Sequence, residues 1–367
     1  MKKIIFIFLF LYIITFSVYA VDISAHSAIL FEPETKTVLF EKNSESAMSM
    51  ASTTKIITAI TAIENGKLDD IVSVSKYAAD VEGSSVWLEE GEKQTLKDLL
   101  YGLMLSSGND AAIAIAEHIS GSCEEFAKLM NYTAQKAGAT NSSFKNPSGL
   151  DEEGHYTTAL DMAKLTAYAY KNEIFKNIVS TKEYQMPWEG HQWNRTLKNH
   201  NKLLKIYDGC IGVKTGFTKK SGRCLVSSAS RNGLQLIAVT LKAPDDWNDH
   251  IKMLDYGFST IYPKTILKKE ESEKFIPIKN GVVEDIKCSV KQDIIIPYNN
   301  NISYELKYTL QTEIEAPVEE NQVAGYVDVY VNDKIVKTLN LYTTESCEKL
   351  YVPNLFDYFL MLFNYII

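Results

Sequence analysis

Ala51-Ser52-Thr53-Thr54-Lys55-Ile56-Ile57-Thr58-Ala59-Ile60 puts a hydroxyl and an amine one turn apart at the head of an apolar run. Residues three apart on a helix share a face, so Ser52 and Lys55 point the same way. Ile56, Ile57, Ala59, Ile60, Ala62 and Ile63 cover most of the circumference, which predicts a buried central helix over 52–64, closed by Asn65-Gly66. A serine hydroxyl attacks poorly until a neighbour takes its proton. A lysine can take it once burial and a second cation lower its pKa. Taken alone, the string favours the blander reading of an N-cap serine followed by a solvated lysine.

Two later strings decide between these readings. Ser107-Gly108-Asn109 and Lys214-Thr215-Gly216 complete the ordered trio S-x-x-K, S-x-N and K-T-G. Ser107 can relay a proton between Lys55 or Lys214 and a leaving amine. Asn109 offers an amide that holds both the lysine and a substrate backbone. Lys214 and Thr215 supply a cation and a hydroxyl for a terminal carboxylate, and Gly216 leaves room for substrate along a strand. The N–H groups of Ser52 and Phe217 can form an oxyanion hole. The trio predicts a serine enzyme that forms an acyl intermediate.

The surrounding pattern places each string. Apolar runs at 28–31 and 37–40 flank Pro33-Glu34-Thr35-Lys36 and read as a β-hairpin. Thr95 with Asp98 forms a capping box that opens a helix over 96–105. Ser106 to Asp110 breaks it, and a second apolar helix follows over 111–119, so the S-x-N string sits on a tight interhelical turn. Helical stretches are expected at 124–137, 158–170 and 246–256. Strands are expected at 210–214, 223–230 and 234–241, the last two joined by Arg231-Asn232-Gly233. The K-T-G string therefore lies on a strand of an antiparallel sheet. A break near Ile261-Tyr262-Pro263-Lys264 precedes a small all-β domain, with strands at 293–298, 303–310, 326–331 and 335–342 and a turn at Asn332-Asp333.

Composition narrows the class. The chain has 367 residues, 46% hydrophobic and 23% charged, which suits a globular protein with a sizeable core. A net charge of -8 without a long basic run argues against a nucleic-acid partner. Lys2 and Lys3, the apolar run 4–16 and Val18-Tyr19-Ala20 read as a secretory signal at 1–20. The five cysteines are scattered and odd in number, which favours ordinary buried thiols over a disulfide framework. At the other end, the last thirteen residues, 355–367, are almost wholly apolar, with Asn354, Asp357 and Asn364 on one narrow polar stripe. As a helix of about 20 Å they are too short to span a bilayer and suit a membrane interface, with packing on the protein itself or on a second copy as the alternative.

These strings resemble the low-molecular-mass penicillin-binding proteins that act as serine D-alanyl-D-alanine carboxypeptidases. The resemblance extends through Ser107-Gly108-Asn109-Asp110-Ala111, Asn146-Pro147-Ser148-Gly149-Leu150, Tyr156-Thr157-Thr158-Ala159 and Lys214-Thr215-Gly216-Phe217-Thr218, and spans roughly 25–345. It implies an α/β (α+β) catalytic domain of the penicillin-binding protein and β-lactamase type at 21–262, with an antiparallel sheet and helices. A β-rich domain at 270–347 and a C-terminal amphipathic anchor at 353–367 would follow. It also implies roles: Ser52 forms the acyl-enzyme, Lys55 accepts the proton, Ser107 joins the transfer, and Lys214 with Thr215 holds the substrate carboxylate. The implied reaction removes the terminal D-alanine of peptidoglycan stem pentapeptides, limiting cross-linking, with β-lactams as covalent inhibitors and no cofactor or metal. Some members carry an arginine after the strand that ends near Leu241. Ala243-Pro244-Asp245-Asp246-Trp247-Asn248-Asp249 has none, so carboxylate binding is expected to rest more on Lys214 and Thr215.

Three competing readings carry their own signals. A class A β-lactamase would need a deacylating glutamate, for which Glu173-Ile174-Phe175-Lys176-Asn177 comes nearest. A catalytically weak penicillin-binding or endopeptidase protein would keep the strings yet differ in turnover. A metallopeptidase is excluded because His26, His118, His155, His191, His200 and His250 lack H-x-x-x-H spacing.

Overall fold

A computed structural model describes residues 21–299 and 302–352. The expected signal at 1–20 and helix at 353–367 lie outside the described residues. β1 (Ser27–Glu32) and β2 (Thr37–Lys42) form the expected hairpin. The Glu32 carboxylate closes its turn, accepting from the backbone N–H groups of Glu34 and Thr35 and from the Thr35 hydroxyl. The chain continues through α1 (Lys55–Asn65), β3 (Ile71–Ser73), α2 (Lys76–Ala79), β4 (Lys93–Thr95), α3 (Leu96–Leu105), α4 (Asn109–Ser120) and α5 (Cys123–Lys136). Next come α6 (Ala159–Ala169), α7 (Glu173–Ser180), β5 (Glu183–Met186), β6 (Arg195–Lys198) and α8 (Leu203–Ile206). β7 (Cys210–Thr218), β8 (Gly222–Arg231), β9 (Leu234–Leu241) and α9 (Asp246–Thr260) complete the first unit.

Side-chain caps set the helix starts. Thr95 accepts from the Asp98 N–H, Ser122 from Glu125, Thr158 from Asp161, and Asn172 from Ile174 and Phe175. The sheet runs β2-β1-β9-β8-β7 with antiparallel neighbours, which leaves β7 at an edge. Side chains alternate between its faces. Ile29, Phe31, Val226, Ile237 and Val239 join the helical core around α1, while Leu30, Leu225, Leu236 and Ala238 meet Met253 and Leu254 of α9. Burying each such side chain is worth about 1.5–3 kcal/mol. Residues 55–62 of α1 are all buried, as the apolar circumference predicts for a central helix.

Two expectations are corrected. The α-helix begins at Lys55, because Ala51–Thr54 forms a 3₁₀ turn entered through Ala51 at φ 48°. The stretch read as a break is a strand: β10 (Tyr262–Leu267) leaves α9 at once and pairs antiparallel with β13 (Ile294–Tyr298). β11 (Lys274–Lys279), β12 (Asp285–Ser289), β14 (Tyr304–Leu310), β15 (Ile314–Glu315), β16 (Val323–Val331) and β17 (Lys334–Thr343) build a sheet ordered β14-β16-β17-β12-β11-β15. Asn332 and Asp333 both sit at positive φ in the β16–β17 turn, as a tight hairpin requires. Ile276, Ile286, Val327, Val329 and Leu341 fill this second core. Lys337 reaches from β17 to Glu34 in the β1–β2 turn at 2.6 Å.

All five thiols are unpaired, with Cys224, Cys288 and Cys347 buried and Cys123 and Cys210 partly so. Among the described residues no helix is long and apolar enough to cross a membrane.

His250 ties α9 to the sheet. Its Nδ1 lies 2.5 Å from Ser227 Oγ on β8, and its Nε2 lies 3.0 Å from Thr240 Oγ1 on β9. Burial pushes its pKa down from 6.5 to about 3, so the folded chain keeps it neutral. The unfolded chain takes up that proton as pH falls below about 6.5. Stability is therefore lost on acidification at up to ~1.4 kcal/mol per pH unit for this group, down to about pH 3. His250→Asn should show an acid slope shallower by about one proton in denaturant melts between pH 4 and 7; an unchanged slope would remove His250 from the linkage.

Candidate active site

The nucleophile turn is held from below. Thr53 donates through both its N–H and its hydroxyl to the Met50 carbonyl, at 3.2 and 2.7 Å. His155 Nδ1 accepts from the Lys145 N–H, so its Nε2 carries the proton and donates to Thr54 Oγ1 at 2.9 Å. Burial lowers the His155 pKa to about 4, which keeps this tautomer neutral. Gly149, at φ 86°, passes so close that a Cβ there would stand 2.1 Å from the Ala51 carbonyl oxygen. On the open side, a Cβ on Gly216 of β7 would stand 3.0 Å from the Ser52 nitrogen. The strand edge therefore lies directly against the turn that carries Ser52.

Lys55 is fully buried, and three acceptors surround its ammonium. Ser52 Oγ lies at 3.0 Å, Asn109 Oδ1 at 2.7 Å and the Ser148 carbonyl oxygen at 2.5 Å. Burial lowers its pKa well below the ordinary lysine value, and the Lys214 charge lowers it further against the opposing pull of Asp110. Lys214 is also buried, donates to the Thr215 carbonyl at 2.9 Å, and is brought down to about 7 by burial. The pair is thus poised so that one amine is neutral while the other keeps its charge.

The S-x-N turn is clamped by its neighbours. Ser107 adopts φ 62°, in the left-handed region that few non-glycine residues use. Asn109 donates its N–H to the Ser84 carbonyl and its Nδ2 to the Glu82 carbonyl, both at 2.7 Å. Asp110 accepts from Ser85 Oγ and from the N–H groups of Val86 and Leu88. With its donors committed to Glu82, the Asn109 amide is forced to present oxygen to Lys55.

A cleft of about 350 Å³ opens over these groups, with Ser52, Ser107, Thr215, Gly216 and Phe217 among its lining residues. Lys55, Asn109 and Lys214 lie beneath it. All eight residues expected from the sequence are therefore assembled in one place. A larger cavity of about 570 Å³, lined by Asn232, Pro263 and Lys337 among others, opens where the β-rich unit meets the first and holds none of these groups.

Three contributors were not among the expected site residues. Ser148 acts through its backbone carbonyl, which leaves no side-chain signature. His200 lines the cleft from the segment after β6, with a pKa lowered by burial and then by Lys214. Arg223 enters from β8, directly across from Phe217 in the ladder. Its Nε and Nη2 both donate to Asp246 Oδ1, at 3.0 and 2.7 Å. The residue paired with Phe217 across the β7–β8 turn was the available clue. The segment 243–249 thus carries no arginine of its own, but Asp246 holds one at the cleft. Glu173, the nearest match to a lactamase glutamate, is exposed and paired with Lys176 at 2.6 Å on α7, and it does not line the cleft. Among the described residues no group of three or more His, Cys, Asp or Glu is arranged to hold a metal.

Comparison with protein families matches residues 14–245 to the D-alanyl-D-alanine carboxypeptidases and residues 262–349 to the penicillin-binding protein 5 C-terminal domain. The D-alanyl-D-alanine carboxypeptidase DacF of Bacillus subtilis is 38% identical over 314 residues, covering 82% of this chain and 80% of its own. DacC of Escherichia coli is 31% identical over 352 residues, covering 91% and 86%. The solved structure of penicillin binding protein 5 from Haemophilus influenzae aligns with a TM-score of 0.66 at 26% identity, over 89% of this chain and 98% of that one.

Proposed function

We propose that this chain, which belongs to the D-alanyl-D-alanine carboxypeptidase family, removes the terminal D-alanine of peptidoglycan stem pentapeptides through an acyl-enzyme on Ser52. The chain is a serine-type peptidase with a penicillin-binding protein catalytic domain followed by an all-β domain. The observation that carries the mechanism is the contact of buried Lys55 with Ser52 Oγ at 3.0 Å.

In this reading, neutral Lys55 takes the Ser52 proton as Oγ bonds to the carbonyl carbon of the penultimate D-alanine. The N–H groups of Ser52 and Phe217 stabilise the alkoxide. The C–N bond then breaks as the leaving nitrogen takes a proton passed from Lys55 through Ser107. Water next attacks the ester carbonyl carbon and gives a proton to Lys55, which passes it to Ser52 Oγ as the ester C–O bond breaks, regenerating the serine and neutral Lys55. The substrate lies along the open edge of β7, where Gly216 leaves room. Lys214, Thr215 and Arg223 hold the terminal carboxylate, Arg223 being pre-oriented by Asp246. β-Lactams acylate the same serine. The protein acts outside the cytoplasm, with 353–367 resting on the membrane surface.

Mass spectrometry after penicillin treatment should find one adduct on the wild type and none on Ser52→Ala, and the wild type should release D-alanine from a peptide ending in D-Ala-D-Ala. An adduct that survives the substitution, or penicillin hydrolysis without D-alanine release, defeats the reading.

The carboxylate clamp has a pH signature. Activity should rise with pH as Lys55 loses its proton, and kcat/KM should fall again above about pH 7 as Lys214 loses its charge. Lys214→Arg should move that alkaline limb up by two or more pH units, and Arg223→Ala should raise KM about tenfold with kcat within threefold. An alkaline limb shared with Lys214→Arg, or an unchanged KM in Arg223→Ala, would contradict the assignment.

Deleting residues 355–367 should shift the protein from membrane to soluble fractions; unchanged partitioning would rule out the tether.

A further inference from the structure

We propose that Trp87 and Trp193 form a platform for the glycan strand that carries the stem peptide, a neutral chain of N-acetylated amino sugars; the proposal rests on reading the cleft as a D-Ala-D-Ala site. Trp87 stands at φ 63° with 76% of its surface exposed. A bulky side chain in the left-handed region is a genuine outlier, and such strain persists only where the surroundings enforce it. Here they do. The Val86 and Leu88 N–H groups are held by Asp110, and the Trp87 N–H donates to Ser85 Oγ at 2.8 Å. The Trp87 carbonyl accepts from Arg195 Nη2 at 2.7 Å. The fold therefore spends several fixed bonds on keeping an indole in solvent, where it contributes nothing to the core.

The same arginine organises the second indole. Arg195 is buried, paired through both Nη groups with Glu92 at 2.5 and 2.7 Å, and lies 4.3 Å from the Trp188 ring. Trp188 stacks on His191 at 3.8 Å, and His191 meets Trp193 at 5.9 Å. Trp193 is 64% exposed in the 187–194 connection, two residues before β6. One buried cation thus holds the Trp87 carbonyl and the Trp188 ring, and Trp188 leads through His191 to Trp193.

Both supports run into the substrate cleft. Ser84, three residues before Trp87, lines it and accepts from the Asn109 N–H. Val86 packs so near Gly108 that a Cβ there would stand 3.2 Å away. On the other side, β6 leads to His200, which also lines the cleft. A substrate that extends beyond its terminal D-Ala-D-Ala would meet these lips as it leaves the cleft.

Charge selects the occupant. The segments 82–92 and 187–195 expose Glu82, Glu89, Glu90 and Glu189, while Arg195 is buried and paired with Glu92. This acidic rim disfavours anionic lipid, since interfacial membrane binders present basic residues. Neutral sugar rings offer apolar C–H faces to indoles and hydroxyls to the carboxylates.

The test compares two substrates with Trp87→Ala, Trp193→Ala and the double variant. On a free pentapeptide, kcat/KM should stay within twofold of wild type. On soluble glycan-linked stem peptides it should fall about tenfold in the double variant, mainly through KM, and Trp87→Phe should recover most of the loss. Peptide-free glycan strands should perturb the tryptophan fluorescence of the wild type and not of the double variant. Equal losses on both substrates, no loss on the glycan-linked one, or a Trp-dependent affinity for phosphatidylglycerol vesicles in place of glycan would overturn the proposal. If neither substrate releases D-alanine, the functional reading of the cleft fails, while the fluorescence titration still judges the platform.

Discussion

The rest of the site depends on a buried amine. Taking an ammonium out of water costs several kcal/mol unless acceptors surround it. Lys55 receives three, from the nucleophile turn, the interhelical turn and the 146–150 segment. None carries a formal charge, so they fix the amine's position and offset its lost hydration only in part. The nearby Lys214 adds repulsion. Protonation is thus made expensive while position is fixed, which is what a general base next to a serine needs.

Holding that arrangement strains the backbone around it. Among non-glycine residues at positive φ, Asn232, Asn332 and Asp333 lie in hairpin turns, where such residues are at ease. Ala51, Ser107 and Trp87 do not share that excuse. Each costs about 1–3 kcal/mol and sits on a segment that lines or supports the cleft. Ala51 aims Ser52 at the strand edge, and Ser107 turns its hydroxyl into the cleft from between two helices. The close approaches at Gly149 and Gly216 show how little slack the nucleophile turn has.

Much of this was legible in the residues. The apolar circumference of 55–62 announced a central helix, and Asn232-Gly233 announced the β8–β9 hairpin. The three strings converged because each lies where a regular element starts, stops or forms an edge. The misses share a cause. Tyr262 and Pro263 look like a linker because Pro donates no hydrogen bond, yet they pair as a strand with Tyr298 and Pro297. Ser148 contributes only a carbonyl, and Arg223 is recruited by Asp246 through tertiary packing, neither of which local pattern encodes. The attachment of the β-rich unit, seen in the Lys337–Glu34 pair, is likewise a long-range event.

The most direct measurement is an NMR titration of the Lys55 side-chain amine, using selectively labelled lysine and assignment by substitution. It should titrate well below the ordinary value of 10.5, and replacing Lys214 with methionine should move it upward. A Lys55 amine that titrates near 10.5, or that is indifferent to the loss of the second cation, would contradict the account.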